Sequence, residues 1–265
     1  MTVSYDDLAP EILVKCEGSL RIVTLNRPEH MNSVSGRMHD SMCGMWERFD
    51  DDDEARAVVI TGAGRAFCAG GDMELLLATH KDRKLARRNC REAERLQRAV
   101  LGCELPIVAA VNGPAVGLGC SLAAMADIVV MSEDAFLADP HVNVGVVAGD
   151  GGALMWPFLM SMLQAKEYLL LGDRIPATEC LRIGMANRVV PADQVLPAAM
   201  ELAMRLAAKP VQALRDTKRA LNIHVQMAAD AVLPFAMAAE EMTFALDDVR
   251  DVALAFIAKE KASTS

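Results

Sequence analysis

The segment PIVAAVNGPAVGLGCSLAAMAD, residues 106–127, has no charged side chain until its last residue and changes pattern halfway. Ile107–Val111 is a short apolar run rich in β-branched residues, which predicts a buried strand. Asn112-Gly113-Pro114 predicts a turn, because Asn and Gly tolerate positive φ and Pro cannot continue a ladder. Leu118–Ala126 predicts a helix of small residues without a charged face. The segment therefore predicts a strand, a glycine turn and a helix start.

A turn of this kind is typical of a binding site. Gly117 and Gly119 let a ligand approach the backbone, and the free N–H groups at a helix N-terminus bind partial negative charge. Two alternatives stay open. The segment could be a membrane span, although Asn112 and Pro114 in mid-window argue against it. It could also be a core strand and helix that bind nothing.

Length and composition limit the fold and the partners. The chain has 265 residues, enough for one large domain or for one domain with a helical appendage. It is 52% hydrophobic but only 4% aromatic, which favours closely packed helices on a sheet. The net charge of −9 argues against nucleic acid as the main partner. Its 7 cysteines show no CxxC pairing and no basic-then-apolar leader precedes them, so we expect reduced thiols in the cytoplasm.

The order of patterns predicts an α/β core followed by helices. Predicted strands are Glu11–Glu17, Leu20–Leu25, Ala57–Thr61, Ile107–Val111, Asp127–Ser132, Ala135–Ala138 and Asn187–Val190. Predicted helices include Ser33 to Asp50, Glu92–Cys103 and Leu154–Leu171, and nearly all of the chain after Pro176, with interruptions at Pro210 and Pro234. Alternating strands and helices, then helices alone, indicate an α/β unit with a C-terminal helical layer.

A second glycine turn follows the strand Ala57–Thr61. The sequence from Gly62 to Asp72 is not a dinucleotide fingerprint, because Phe67 stands where the third glycine is needed. It also lacks the Gly-Lys-Ser/Thr of a phosphate-binding loop. Gly70-Gly71 before a helix start at Met73–Ala78 repeats the pattern of the first segment instead.

Six cations lie within Lys81–Arg91 of this acidic chain. They indicate either a solvated helix face or a binding surface for the phosphates of a charged cofactor. The sequence favours the first interpretation and leaves the second open.

Motifs along nearly the whole chain resemble those of the crotonase family, also called enoyl-CoA hydratase/isomerase. They are Asn26-Arg27-Pro28, Val59–Gly62 with Phe67–Asp72, Pro106–Gly113 with Ala115–Gly119, Ala126-Asp127-Ile128, Gly172-Asp173-Arg174, Gly184–Val190, and Ala255-Phe256 with Lys259. Each piece is weak alone, but their order and spacing together are specific.

The resemblance implies an α/β fold, a crotonase-like spiral of ββα turns over residues 1–200, and a C-terminal α-helical trimerisation region over residues 201–265. It implies an acyl-CoA thioester substrate, with no metal, no cofactor besides the coenzyme A of that substrate, and no membrane partner. It also implies a homotrimer or a dimer of trimers. Backbone N–H groups of Gly71 and Leu118 would form an oxyanion hole. The implied substrate-binding residues are Ala69, Gly70, Asp72, Gly117 and Lys259.

The chain departs from the family at its two catalytic glutamates, where Ser121 and His141 stand instead. A serine without a strong base cannot take a proton at neutral pH. A neutral His141 can, since an unperturbed imidazole has a pKa of about 6.5; the alternative is a structural loop histidine. Asp150 resembles a catalytic acid that several members carry near this turn, and it is our first acid–base candidate. Its alternative role is to cap a helix from Gly151.

These features predict an enzyme that stabilises an acyl-CoA enolate, with Asp150 as acid–base residue and His141 assisting. Two-glutamate hydration is not expected. Double-bond isomerisation, hydration of an unusual enoyl-CoA, hydrolysis and decarboxylation remain open, as does a catalytically idle acyl-CoA-binding protein. A nicotinamide oxidoreductase is disfavoured by the failed fingerprint.

Overall fold

The structure, a computed structural model, describes residues 3–263, with side chains as far as Lys259. Its strands are β1 (Ile12–Glu17), β2 (Leu20–Leu25), β3 (Ala57–Gly62), β4 (Ile107–Val111), β5 (Ala115–Val116), β6 (Ile128–Ser132), β7 (Phe136–Ala138), β8 (Arg174–Pro176) and β9 (Arg188–Val190). One sheet has the order β1-β2-β3-β4-β6-β9, parallel except for the hairpin β1–β2. The second has the order β5-β7-β8.

The helices cover these sheets and form the C-terminal part. They are α1 (Gly36–Asp50), α2 (Met73–Lys81), α3 (Arg83–Gly102), α4 (Leu118–Met125), α5 (Gly152–Leu159), α6 (Met162–Leu171), α7 (Ala177–Ile183), α8 (Val195–Ala207), α9 (Val211–Thr243) and α10 (Asp247–Ser263). Short 3-10 turns occupy Pro28–His30, His141–Val144 and Ala192–Gln194. None of the described helices combines the length and hydropathy that crossing a bilayer requires.

The middle of the chain repeats one strand–strand–helix unit. A strand of the large sheet comes first (β3, β4 or β6), then a short extended segment of the small sheet, then a helix (α2, α4 or α5). After β3 the short segment is the single bridge of Cys68 to Ala115, after β4 it is β5, and after β6 it is β7. The predicted spiral of ββα turns is therefore confirmed.

The middle of the large sheet, β3 and β4, is buried on both faces. Val58 and Ile60 of β3 point into the main core, whereas Ala57 and Val59 pack against α8. This alternation follows from the two-residue period of a strand. Strands covered on both sides read as continuous apolar runs, which is why the composition alone predicted β3 and β4.

Three predicted boundaries were wrong. Helix α1 is capped by Ser35 rather than Ser33, since Val34 forms a bridge with Gly71 and cannot be helical. The predicted helix Leu154–Leu171 is two helices, because Ser161 starts α6 with a capping box. Pro234 lies inside α9 without ending it.

The C-terminal helices pack on their own chain. Helix α9 lies against α3 and α5, and α10 lies against α2. A trimerisation role for residues 201–265, and the boundary at residue 200, stay predictions; residues 264–265 lie outside the described residues.

Candidate active site

A cavity of about 180 Å³ collects nearly all of the predicted site residues. Its wall is mostly apolar and includes side chains from α2, α3 and the end of α9. The predicted residues in this wall are Ala69, Gly70, Gly71, Asp72, Gly117, Leu118, His141 and Asp150. Among the side chains that the structure describes, Lys259 does not join them; it is exposed on α10.

The turn before α2 is held by backbone contacts that need glycine. Gly70 has a φ of +87°, and its carbonyl oxygen accepts a hydrogen bond from the N–H of Val34 at 2.8 Å. A Cβ on Gly70 would lie 2.7 Å from the carbonyl oxygen of Val116, which is shorter than real contacts allow. The Gly70 turn therefore packs directly against the turn that leads into α4.

The second turn is built in the same way. Gly117 has a φ of +52°, and its N–H donates to the carbonyl of Ala138 at 2.9 Å. Leu118 then begins α4. Within the described chain, the N–H groups of Gly71 and Leu118 donate no hydrogen bond. Two amides at the cavity wall are therefore available to an oxygen of a ligand.

Asp72 is already engaged by the protein. Its carboxylate caps α2 by accepting from the N–H of Glu74 at 3.0 Å, and it pairs with Arg27 at 2.9 Å. The N–H of Ala69 donates to the carbonyl of Met31 at 3.0 Å. These two residues shape the wall and fix the Gly70–Gly71 turn between them.

His141 lies between two carboxylates. Its Nδ1 contacts Oδ1 of Asp139, and its Nε2 is 3.5 Å from Oδ1 of Asp150. Asp139 is only 1% exposed, and one of its oxygens, Oδ2, has no hydrogen-bond partner in the described structure. Three ionisable groups thus form one buried row at the cavity.

The expectation of a neutral His141 base was wrong. Burial alone would lower the pKa of His141, but the charges of Asp139 and Asp150 outweigh burial and raise this pKa well above its ordinary value. His141 is therefore an imidazolium at neutral pH, which can donate protons and hold positive charge but cannot accept a proton.

Asp150 is ionised. Burial would raise its pKa, but the positive charge of His141 and hydrogen bonds from His141 and Ser121 keep this pKa below the ordinary value. The alternative role as a helix cap was wrong, because the N-cap of α5 is Gly151 and no side chain caps that end. Asp150 instead presents a carboxylate to the cavity.

The space around Ser121 is small. Gly151 has a φ of +142°, and a Cβ on it would lie 2.6 Å from Cβ of Ser121. The Ser121 hydroxyl lies 3.2 Å from the carbonyl of Gly117 and 3.3 Å from Oδ1 of Asp150. The side chain of Ser121 therefore lies directly against the backbone at Gly151.

Asp139, His141 and Asp150 each offer an atom within 4.8 Å of the others, close enough to share a cation. However, both nitrogens of His141 already face a carboxylate. The imidazolium supplies the positive charge that a metal would supply, so these residues fit an ion-paired row better than a metal site.

Glu240 is a cavity residue that the sequence analysis missed. It comes from α9, is 5% exposed, and has an unpartnered Oε2 in the described structure. Burial and the charge of Asp150 raise its pKa to about 8, so Glu240 is protonated at neutral pH. The helical spacing indicates that Glu240 is buried, because it lies on the same face of α9 as the buried residues Leu233, Ala236 and Met237.

The cations at positions 81–91 lie on a solvated surface, as the sequence favours. Their side chains are exposed on and just before α3, and none of them lines the cavity in the described structure. Arg88 pairs with Glu92 at 2.5 Å and with Asp40 at 3.3 Å. Phosphate binding by this surface remains untested.

Comparisons with known proteins agree on one family. The sequence profile of enoyl-CoA hydratase/isomerase matches residues 15–264. The short-chain-enoyl-CoA hydratase of Clostridium acetobutylicum is 32% identical over 253 residues, which cover 94% of this chain and 95% of that protein. The crotonyl-CoA hydratase of Syntrophomonas wolfei is 31% identical over 257 residues, covering 95% and 96%.

Solved structures show the same fold. An enoyl-CoA hydratase/isomerase from Mycobacterium paratuberculosis superposes with a TM-score of 0.91 and 47% identity, covering 94% of this chain and 99% of the other. A monofunctional enoyl-CoA isomerase from M. smegmatis superposes with a TM-score of 0.70 and 27% identity, covering 82% and 95%.

Proposed function

Since the chain belongs to the enoyl-CoA hydratase/isomerase family, we propose that it binds an acyl-CoA thioester and moves its double bond through an enolate. The observation that carries this proposal is one cavity that holds two unpaired backbone amides and the ionised carboxylate of Asp150. An enolate needs a base to remove a proton and donors to hold the resulting charge. The cavity offers both.

The thioester oxygen binds between the N–H groups of Gly71 and Leu118. Loss of a proton from C2 of the acyl group places negative charge on this oxygen, and fixed amide donors stabilise that charge. Donors of this kind contribute about 3–4 kcal/mol each in other oxyanion holes. The backbone contacts of Gly70 and Gly117 hold both amides in place before substrate arrives.

Asp150 is the base. Its carboxylate is ionised and lines the cavity, so it accepts the C2 proton as the enolate forms. His141 does not take part as a base; its positive charge keeps Asp150 ionised. Asp139, on the other side of the imidazole ring, holds that ring in position.

Isomerisation is favoured over hydration by the residues at the two glutamate positions. Water addition needs a pair of groups to position and activate the water, whereas these positions hold Ser121, which binds Asp150, and His141, which is protonated. The mostly apolar wall suits a hydrocarbon chain. Moving a double bond requires proton transfers alone.

The test is incubation of the purified protein with 3-enoyl-, 2-enoyl-, 3-oxoacyl- and dicarboxyl-CoA esters in D₂O, followed by mass spectrometry of the products. We expect conversion of 3-enoyl to 2-enoyl thioesters with deuterium at C4, where the new C–H bond forms. Return of the enolate to substrate should place deuterium at C2 of the remaining 3-enoyl thioester. Water addition, thioester cleavage or CO₂ release would replace isomerisation with another reaction of the family. Binding without exchange or turnover would indicate an acyl-CoA-binding protein.

We also propose that the protein assembles as a homotrimer or a dimer of trimers in the cytoplasm. Large apolar side chains are exposed on α6 and α9, among them Leu163, Leu170, Met227 and Phe235. Such a surface favours burial against another subunit. The 7 thiols are unpaired, which suits a reducing compartment. Light scattering during size-exclusion chromatography measures the subunit number; a monomer would contradict this proposal.

We also propose that Lys259, predicted as a substrate-binding residue, contacts the coenzyme A moiety. Its exposed position on α10, away from the cavity wall, suits a contact with the charged end of coenzyme A rather than with the acyl group. Lys259→Ala should raise the KM for CoA esters and leave the KM for pantetheine thioesters unchanged. Equal effects on both would remove this assignment.

A further inference from the structure

The end of α9 brings a carboxyl group into the acyl cavity. Glu240 and Phe244 both line this cavity, one turn apart on the same side of the helix. Glu240 is 5% exposed, yet its Oε2 is buried without a hydrogen-bond partner in the described part of the chain. Leaving a buried polar group unpaired is energetically unfavourable. A group kept at that cost at a cavity wall points to a ligand.

The surroundings of Glu240 decide its protonation state. Three ionisable groups of the cavity act on it: Asp150 and Asp139 disfavour its charge, and His141 favours it. On α3, burial and then the charge of Glu240 raise the pKa of the Cys90 thiol, while Arg87 pairs with Glu241 instead. Burial has the largest effect, so the carboxyl group carries its proton at neutral pH.

We propose that Glu240 is the second acid–base residue of this site and delivers the proton that completes the double-bond shift, an inference that rests on the enolate chemistry proposed above. The ionised carboxylate of Asp150 and the protonated carboxyl group of Glu240, at one cavity, can serve as the base and the acid of an isomerisation between two different carbons. Asp150 and Glu240 thus take the work of the two missing glutamates, from different positions of the chain.

The proton balance closes. Asp150 takes the proton of C2, and the electrons of that C–H bond form the dienolate, with its charge on the thioester oxygen. When the dienolate collapses, C4 binds the proton of Glu240 and the double bond lies between C2 and C3. Asp150 is then protonated and Glu240 ionised. After the product leaves, a water molecule carries the proton from Asp150, the stronger acid, back to Glu240.

The experiment measures two reactions of a 3-enoyl-CoA in D₂O: exchange at C2, which reports enolate formation, and the shift of the double bond. For Glu240→Gln we expect exchange to persist while the shift slows about 10²–10⁴-fold, the usual contribution of a general acid. Glu241→Gln is the matched control, since Glu241 is the next residue of α9 and does not line the cavity. We expect it to retain both reactions.

Each outcome decides between the two proposals. A normal shift in Glu240→Gln overturns the role of Glu240. Loss of exchange together with the shift, in a folded variant, assigns it to binding or structure and also overturns it. Absence of both reactions in the unmodified protein overturns the proposed function, and the role of Glu240 with it. If Glu240→Gln does not fold, Glu240→Asp tests the proposal instead. Its shorter side chain holds the carboxyl group farther from C4, so the rate of the double-bond shift should fall relative to the rate of exchange at C2. An unchanged ratio of the two rates contradicts the proposal.

Discussion

The hydroxyl oxygen of Ser121 lies 3.3 Å from Oδ1 of Asp150. A residue on α4 therefore supports the carboxylate of Asp150, which lies in the loop just before α5. We expect Ser121→Ala to raise the pKa of Asp150, because hydrogen bonds to a charged group are worth about 1.5–3 kcal/mol. The acid limb of the kcat/KM profile should therefore move to higher pH. Ser132→Ala, a buried serine away from the cavity, is the control. An acid limb at the same pH in Ser121→Ala would show that the Ser121 hydroxyl does not stabilise the charge of Asp150.

Asp150→Asn should abolish turnover and leave thioester binding intact. The amide keeps the size of the side chain and removes its ability to accept a proton. Titration calorimetry with a saturated acyl-CoA measures binding, and deuterium exchange at C2 measures enolate formation. Full exchange in this variant would require another base and would end the assignment of Asp150.

His141→Ala should change how stability depends on pH. The pKa of His141 is raised in the folded protein above an unfolded value of about 6.5. The imidazolium therefore stabilises the fold fully below pH about 6.5, and this contribution is lost as the pH rises through the folded pKa. The variant should be less stable at neutral pH, with Asp139 and Asp150 left facing each other, and should lose less stability toward alkaline pH. Thermal melting between pH 6 and 10 measures both; parallel curves for the two proteins would contradict this role.

Glu240→Gln should change the pH dependence of stability in the same direction as His141→Ala, but over a lower pH range. Burial raises the pKa of Glu240 to about 8, above the ordinary value of about 4.3 for a free side chain. The unfolded chain therefore releases this proton more readily, and the native protein loses stability as the pH rises from about 4.3 to about 8. The variant lacks this loss. Each 1 kcal/mol retained corresponds to about 2–4 °C in Tm for a protein of 150–250 residues. An equal decline of Tm with pH in both proteins would indicate an unperturbed Glu240.

Gly70→Ala should damage fold and activity together. A Cβ at this position meets the carbonyl oxygen of Val116 at 2.7 Å, and the φ of +87° disfavours any L side chain. Backbone strain of this kind costs about 1–3 kcal/mol. Gly44→Ala is the matched control, because a Cβ on Gly44 in α1 meets no atom within 4 Å. A variant with normal Tm and turnover would show that the Gly70 turn and the Gly117 turn can move apart without loss of stability or activity.

The strands and glycine turns could be predicted because their signals are local. Ile107–Val111 is apolar throughout since both faces of β4 are covered, and the glycines at 70 and 117 are required by positive φ values. The break at Ser161 was also local, and its capping box with Gln164 was overlooked. The interruption predicted at Pro234 was wrong, because the packing of α9 against α3 and α5 maintains a helix that proline alone would interrupt.

The charges of the site could not be predicted from the sequence. Whether His141 is neutral depends on Asp139 and Asp150, which approach its two nitrogens only in the folded chain. Glu240 becomes an acid through burial beside Asp150, although the two residues are far apart along the chain. The residue types indicate which side chains could act as acid or base, and the tertiary contacts determine their protonation states.

The residues that enclose the cavity begin at Val34 and end at Phe244. During synthesis on the ribosome, both amide-bearing turns emerge long before the last wall of the pocket exists. A nascent chain that stops ahead of α9 carries the donors and the base but leaves them open to water. Translation must therefore pass Phe244 before this polypeptide can hold a thioester in a dry pocket.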